Sequence, residues 1–486
     1  MHEVSPPRRR LVMIGRIRAA CVALALAVPL LIAPWPAYAA TAAPPEVVVN
    51  ALRGAGIPLS ATSIVVTPLD GPGLEATLNA DVPRNPASTM KLLTTYAALR
   101  TLGPAYTWHT DVLLAGSRDG ETVRGDLVLR GGGDPSLVVE QLWLLVQQLR
   151  GLGLRDLRGD LVLDRSAFQL PPHDTAAFDG DALRSYNVGP DALLVNFNSI
   201  AYRFVPDPLA RTVRVAILPP PAGVRAPLTV RAADGACGDW RGKLRADFAR
   251  PFAPAFRGTF PLDCGERSWH LAPLAPDLSL GAVFRALWEG SGGSWTGKVR
   301  DGIVPAGAPL LATHESQPLA EVVRDINKFS NNVMAQHLFL TFGAERAGWP
   351  ASFERSRDAL RTWLTASGLA MPELVLENGA GLSRVERVSA GSLARLLTDA
   401  WRSPVMPELM ASLPLVGVDG TAAKRKGAVG SAHVKTGLLE DVRAVAGFVL
   451  AASGRRYAVV AIVNHERAGG AQRALDALLE WVQTTG

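Results

Sequence analysis

The sequence predicts an α/β protein (α+β in its segregation), an antiparallel sheet with helices packed on it, split by a large mixed, β-rich insert. Three observations carry this. Strand patterns stand at the two ends of the chain, helical patterns cluster between residues 280 and 401, and the texture from 109 to 270 differs from both.

The leading strand is read over residues 60–70, ended by Gly71-Pro72-Gly73. A loop containing Pro83 and Pro86 runs into Ser88, and a helical pattern from Thr89 to Leu102 stops at Gly103-Pro104. Residues 109–270 carry short β-rich runs such as Asp126–Arg130 and Asp160–Asp164 between Gly/Pro turns, with one helical stretch at Val138–Leu149. Helices return as Leu280–Trp288, Pro318–Asn327, Asn331–Phe342, Ser352–Ala366 and Ser389–Trp401. At the end, Val445–Ala452 and Arg456–Val463 are β-branched runs joined by Ser453-Gly454, a hairpin signal. Both are apolar on successive positions, so both faces should be buried, one of them under an amphipathic helix at Ala471–Val482. The expected organisation is one domain from residues 40–108 plus 271–486, interrupted by one or two inserted domains over 109–270.

Residues 1–39 are set apart from this fold. Arg8, Arg9, Arg10, Arg16 and Arg18 precede an apolar run from Ala19 to Ile32, and Ala37-Tyr38-Ala39 supplies a small-x-small cleavage signal. The run is short for a membrane-spanning helix, which takes about 20 apolar residues. The segment therefore reads as a secretory signal, with an uncleaved anchor as the alternative, and the expected location is the periplasm with no transmembrane anchor after cleavage. It carries five arginines and one glutamate, a net +4 of the chain's +6, so the remainder holds about +2. No basic stripe interleaved with aromatics occurs, which argues against nucleic-acid binding. Composition, with 48% hydrophobic and 19% charged residues over 486 positions, is that of a globular protein of two or three domains. Cys237 and Cys264 are an even pair in an oxidising compartment, read as a disulfide, with two buried thiols as the alternative.

Three short motifs carry the chemistry. Ser88-Thr89-Met90-Lys91 gives S-x-x-K at a helix start, Ser330-Asn331-Asn332 gives S-x-N at another, and Lys435-Thr436-Gly437 gives K-T-G on a strand leading into Leu438. Residues three apart on a helix share a face, so Lys91 can reach the Ser88 hydroxyl. Serine needs a base within hydrogen-bond reach, and lysine serves as one only when burial or a neighbouring cation lowers its pKa. Lys435 would be that cation. The backbone N–H groups of Ser88 and Leu438 would form an oxyanion hole. Ser330 would relay a proton to the leaving group, and Asn332 would hold a substrate amide. Taken singly, Ser88 and Ser330 are also natural helix caps and Lys91 a solvated surface residue; the ordered trio is far more specific. Only seven residues are lysine, and two of them fall in these motifs. Competing chemistries lack their signatures. There is no G-x-S-x-G and no H-E-x-x-H, and Gly131-Gly132-Gly133-Asp134 lacks the lysine of a phosphate loop and reads as a tight turn.

The trio, together with Pro86-Ala87, Gly125-Asp126-Leu127, Gly132-Gly133-Asp134-Pro135-Ser136-Leu137, Asn378-Gly379-Ala380-Gly381-Leu382-Ser383-Arg384, Leu413-Pro414-Leu415, Asp419-Gly420-Thr421 and Val445-Ala446-Gly447-Phe448, resembles one family. It is similar to the class C low-molecular-mass penicillin-binding proteins of the penicillin-binding protein 4 type, the D-alanyl-D-alanine carboxypeptidase/endopeptidases. The resemblance implies a β-lactamase/transpeptidase-like domain with its insert between S-x-x-K and S-x-N. It also implies an acyl-serine enzyme acting on D-Ala bonds of peptidoglycan stem peptides and cross-links. Ser88, Lys91 and Ser330 would be catalytic, and Asn332, Lys435, Thr436, Gly437 and Leu438 would bind substrate. No metal or organic cofactor is implied, and β-lactam antibiotics are the implied covalent inhibitors.

Three positions depart from the family pattern. Leu438 stands where Thr or Ser usually follows K-T-G, Asn378 where Asp is usual, and Ala380 where Ser is usual. Carboxylate recognition would then fall on Thr436 and Lys435, with reduced or altered activity as a possible consequence. Two further readings share these motifs: a β-lactamase, separated by fast turnover of a chromogenic β-lactam, and a catalytically impaired peptidoglycan-binding scaffold, separated by wall binding without covalent labelling.

Overall fold

The computed structural model describes residues 42–224 and 228–486, so the expected signal segment lies outside the described residues. The sheet that carries the K-T-G strand has five antiparallel strands, in the order Ala432–Leu438, Val442–Leu450, Arg456–Asn464, Thr62–Pro68, Ala76–Leu78. The first and last segments of the chain thus meet in one sheet: Val65 pairs with Val460 and Val66 with Val459.

Both faces of this sheet are buried, as the unbroken apolar runs require. Ala458, Val460 and Ile462 face a helical core containing Met90, Leu93, Tyr96, Leu338 and Leu396. Their neighbours Tyr457, Val459, Ala461 and Val463 face the opposite way, onto Leu475, Leu478, Leu479 and Val482 of the final helix Gln472–Thr485 and onto Val48 and Leu52 of the helix Glu46–Gly54. The period-2 alternation of a strand sends one short segment into two cores. The helical cluster comprises Lys91–Leu102, Leu319–Phe329, Asn332–Ala347, Phe353–Ala366 and Ala390–Trp401.

Between them lie two further sheets. One has seven strands and is built on the hairpin His109–Asp119 and Thr122–Gly131; the other has six strands spanning residues 200–271. Each has its own core, the first around Leu127, Leu145, Phe284 and Trp288, the second around Phe204, Trp240 and Phe260. The seven-stranded sheet continues beyond residue 270. Its last strand, Leu310–Glu315, pairs with His109–Asp119, and the helix Pro276–Gly290 packs in its core. Periodicity alone grouped that helix with the later ones, since an amphipathic stripe does not say which sheet it covers.

Gly131-Gly132-Gly133 is a close-packed turn. A Cβ on Gly131 would lie 2.1 Å from the Ala192 carbonyl oxygen, and Gly133 has φ +79°. Cys237 and Cys264 are disulfide-bonded at the edge of the six-stranded sheet's core. Replacing both by serine releases a loop closed over a sequence separation of 27 residues. The expected loss is about 3.5 kcal/mol on the chain-entropy account, read as faster amide exchange across residues 200–271. Unchanged exchange there would show that the loop is held without the bond.

Candidate active site

Ser88 lies in a 3-10 turn, Ala87–Met90, that leads into the helix Lys91–Leu102. The helical pattern read from Thr89 therefore opens with a tighter turn, entered through Ala87 at φ +45°. Asn85 fixes this entry. Its Oδ1 accepts the Ala87 N–H at 2.9 Å, its Nδ2 donates to the Ser383 carbonyl at 2.9 Å, and its backbone exchanges two hydrogen bonds with the Asn464 carboxamide. Ser88 makes no capping hydrogen bond. Its Oγ instead accepts from Lys91 Nζ at 3.2 Å.

Lys91 is completely buried. Besides Ser88, its Nζ donates to Asn332 Oδ1 at 2.7 Å and to the Ala380 carbonyl at 2.5 Å. Burial, and then the Lys435 charge, hold its pKa well below the ordinary lysine value, while the Glu386 carboxylate pushes the other way. Lys435 is equally buried, and desolvation brings it down to about 7. Its Nζ donates to Ser330 Oγ at 2.9 Å and to the Thr436 carbonyl at 3.0 Å.

Ser330 does not cap the helix that follows it. It sits in the left-handed region, φ +57°, at the end of Leu319–Phe329, and Asn331 caps Asn332–Ala347 by accepting the Met334 N–H. That break turns the Ser330 hydroxyl toward Lys435. Asn332, in the first turn of the same helix, has both polar atoms engaged: Oδ1 with Lys91, and Nδ2 donating to the Tyr186 carbonyl at 3.1 Å. Thr436 Oγ1 donates to Thr421 Oγ1 at 2.7 Å. At Gly437 a Cβ would lie 2.6 Å from the Pro86 carbonyl oxygen, so the strand end presses against the serine turn where only glycine fits. Leu438 follows with 66% of its surface exposed.

Ser88, Ser330, Asn332, Thr436, Gly437 and Leu438 all line one cleft of about 770 Å³, and Lys91 and Lys435 lie buried behind Ser88 and Ser330. All eight sequence-predicted site residues are therefore brought together. The cleft also takes residues that sequence reasoning did not single out. Phe178, Asp179, Arg184 and Tyr186 arrive from the insert, and Arg425, Glu440 and Arg443 come from around the K-T-G strand, beside Thr421 of the Asp419-Gly420-Thr421 motif. The insert loop is self-bonded, with Tyr186 Oη donating to Asp179 Oδ2 at 2.5 Å and Asn187 Nδ2 donating to Asp179 Oδ1 at 2.7 Å. Nothing in its sequence marks it as a site loop; a β-rich insert with no catalytic motif carries no local signal.

The departures at 378 and 380 are structurally accommodated. Asn378 Nδ2 donates to the Leu382 carbonyl at 2.9 Å and its Oδ1 accepts the Ala380 N–H at 2.9 Å, a pairing that requires one donor and one acceptor. Ala380 meets Lys91 through its backbone carbonyl rather than its side chain.

Fold and site together define a serine-type peptidase of the penicillin-binding class. The chain belongs to the D-Ala-D-Ala carboxypeptidase 3 (S13) family, whose profile matches residues 51–484. It is 33% identical over 416 residues to the D-alanyl-D-alanine carboxypeptidase of Actinomadura sp. (strain R39), covering 80% of this chain and 75% of that one. It is 26% identical over 394 residues to D-alanyl-D-alanine carboxypeptidase DacB of Haemophilus influenzae, covering 78% and 80%. The crystal structure of penicillin binding protein 4 (dacB) from H. influenzae superposes with a TM-score of 0.73 at 25% identity, over 89% of this chain and 99% of that one. A second structure of that protein is complexed with a novel β-lactam (TM-score 0.70, 24% identity, 90% and 99% covered). Among the described residues no helix is long and apolar enough to cross a membrane.

Gly381, at φ +78°, locks the loop that carries Ala380. A Cβ there would lie 1.9 Å from the Ala87 carbonyl oxygen and 2.8 Å from the Ser88 nitrogen. Gly381→Ala is expected to destabilise the protein by more than about 1 kcal/mol and to lower carboxypeptidase activity by about 10²-fold, because the serine turn must move. Thermal unfolding and the rate of D-Ala release check this; a wild-type rate in the variant would show that the contact is slack.

Proposed function

We propose that this protein is a D-Ala–D-Ala carboxypeptidase that also cuts D-Ala cross-links, working through an acyl-enzyme on Ser88. The observation that carries it is the Ser88 Oγ to Lys91 Nζ contact of 3.2 Å, made by a lysine with no exposed surface. A buried lysine held below its ordinary pKa is neutral in a useful fraction of molecules and can take a proton.

In this reading Ser88 Oγ attacks the carbonyl carbon of the penultimate D-Ala while its proton passes to Lys91 Nζ. The oxyanion is met by the N–H groups of Ser88 and Leu438, which the Gly437–Pro86 contact holds on one side of the carbonyl. The C–N bond breaks as the leaving amine takes a proton from Ser330 Oγ, which is resupplied by Lys435 Nζ along the hydrogen bond between them. That hydroxyl has its own hydrogen available, because Lys435 Nζ is the donor in the bond between them. Water then attacks the acyl-serine, its proton passing through Ser330 Oγ back to Lys435, and Ser88 Oγ recovers its own proton from Lys91 as the acyl group leaves. Lys435, with the Thr436–Thr421 hydroxyl pair, holds the terminal carboxylate. The second amide hydrogen of Asn332 is left for the substrate backbone, since one is bonded to Tyr186. The Leu438 side chain points outward and makes no demand on the oxyanion hole, which uses only its N–H.

A D-Ala-terminated strand of peptidoglycan is the substrate class in this reading, and β-lactams, which place a strained amide in the same cleft, acylate Ser88 and inhibit. The family supports the carboxypeptidase step, and the β-lactam complex of the H. influenzae relative supports penicillin sensitivity. Cross-link cleavage is proposed because the cleft that holds Ser88 is also lined by Phe178, Asp179, Arg184 and Tyr186 of the insert loop, which a longer, branched substrate would meet. A cell-wall enzyme of this kind acts outside the cytoplasm, consistent with the secretory reading of residues 1–39.

Ser88→Ala is expected to abolish covalent labelling by fluorescent penicillin and release of D-Ala, with intact mass and peptide mapping placing the wild-type adduct on Ser88; labelling that persists in the variant would refute the assignment. The pH profile tests Lys435. Its pKa of about 7 means that its positive charge is lost as pH rises through 7, so kcat/KM should fall on that side. Lys435→Arg, which stays charged, should carry the basic limb upward, even if the plateau rate drops. A limb at the same pH in both proteins would show that another group sets it.

A further inference from the structure

Among the described residues outside the three motifs, one acidic side chain is buried without any solvent contact: Glu386, two residues after the Leu382-Ser383-Arg384 run. A carboxyl group in a protein interior is costly unless it is bonded on all sides or has a task. Glu386 Oε1 accepts three consecutive backbone N–H groups, from Glu377, Asn378 and Gly379, each at 3.0 Å. Its other oxygen, Oε2, has no hydrogen-bond partner among the described residues.

The backbone that this oxygen gathers is the one that positions the reacting pair. One residue beyond the three amides, the Ala380 carbonyl accepts from Lys91 Nζ at 2.5 Å. The Gly379 carbonyl accepts from Thr94 Oγ1, one turn further along the Lys91 helix, at 2.6 Å. Gly381 then lies against Ala87 and the Ser88 nitrogen with no room for a Cβ. The return path closes the ring: the Glu386 N–H donates to Ser383 Oγ at 3.0 Å, the Ser383 carbonyl accepts from Asn85, and Asn85 holds the Ala87 N–H. Every link from Glu386 to Ser88 and Lys91 is a hydrogen bond or a contact too close for a side chain.

We propose that Glu386 is a positioning residue for the Ser88–Lys91 pair, its carboxylate fixing the 377–380 backbone against Lys91 and offsetting the Lys435 charge that Lys91 experiences. This rests on the acyl-serine reading above. The charged groups felt by Lys91 are Lys435, from the K-T-G strand, and Glu386, from the loop; burial raises the Glu386 pKa above the ordinary carboxylate value, the three backbone N–H groups hold it down, and the like charge of Glu377 adds to the rise. Burial and Lys435 push the Lys91 ammonium toward losing its proton, and Glu386 opposes them. The carboxylate keeps Lys91 able to hold the serine proton once it has been taken, which a more strongly depressed amine would do poorly.

The sign of the charge effect is testable. Glu386→Gln keeps an acceptor for the three amides and removes the negative charge. Lys91 should then lose its proton more readily, so the acidic limb of kcat/KM should move to lower pH by about 0.5–1 unit, with the plateau kcat within about threefold of wild type. Glu386→Ala removes the anchor as well and should lower kcat by about 10²-fold with KM little changed. Both variants are to be measured on a D-Ala–D-Ala-terminated peptide, after thermal unfolding has shown which of them is folded. A Gln variant whose acidic limb coincides with that of wild type would overturn the proposal, because a purely structural carboxylate would lower the unfolding temperature and leave the limb in place. Mapping of the wild-type penicillin adduct separates the two levels of failure: no adduct on Ser88 refutes the serine reading itself, whereas an adduct on Ser88 with an unmoved limb refutes only the role of Glu386.

Discussion

Two lysine side chains with no exposed surface lie behind one cleft, and the rest of the site is arranged around that fact. Two ammonium groups cannot both keep their protons in such a place, since burial penalises each charge and each charge penalises the other. The structure resolves the competition unequally. Lys91 carries the added push of Lys435 and is driven well below its ordinary pKa, while Lys435, lowered by burial alone, stays near neutrality. In the acyl-serine reading the proton stays on Lys435 and Lys91 is the amine beside the serine. Arginine at position 91 would fix a charge beside the serine and leave it without a base. A chain that otherwise uses arginine for its surface cations, with seven lysines among 50 basic residues, keeps lysine at both places.

Holding two such groups apart yet within one site demands rigid supports, and these come from segments remote in sequence. The serine turn is pinned by Asn85 to Asn464 on a strand of the central sheet, 379 positions away, and by Gly381 to the loop under Lys91. The K-T-G strand is an edge of the five-stranded sheet, and it approaches the turn closely only because residue 437 has no side chain. The sheet, in turn, is stiff because both faces are packed, one by the helices that carry Lys91 and Asn332 and the other by the two terminal helices. Packing on the far face therefore contributes to geometry at the cleft. Such a site tolerates little displacement, since misplacing a reacting group by about 1 Å can cost 10²-fold in rate.

Much of this was legible in the sequence. The hairpin near the C-terminus, the helices after residue 318 and the strand at 62–68 follow from period-2 and period-3.6 patterns strong enough to read without a structure. The motif residues were legible because S-x-x-K, S-x-N and K-T-G each join a reactive group to a local conformation. What was not legible depends on distance. Asn85, Asn464 and Glu386 look like ordinary polar residues, and only the fold shows that each closes a circuit around Ser88. The insert loop bearing Asp179 and Tyr186 was invisible for the same reason, and the helix Pro276–Gly290 was grouped with the wrong sheet because an apolar stripe carries no address.

The positions at which the chain leaves its family's pattern separate the chemistry from the recognition. Asn378 and Ala380 lie in the loop under Lys91, where the work is done by backbone groups; one is satisfied by a donor–acceptor pairing of its own, and the other contributes a carbonyl that any residue would supply. Leu438 contributes an N–H in the same sense, and its side chain is turned to solvent. In the proposed reading the machinery for breaking the bond is built from Ser88, two lysines, Ser330 and main-chain atoms, and it uses no side chain from those three positions. The cleft beyond it is lined by side chains from the insert and from the segment after K-T-G, charged in both senses. On that reading a change at Leu438 would bear on which peptide end is held, and a change at Glu386 on how well the held bond is broken.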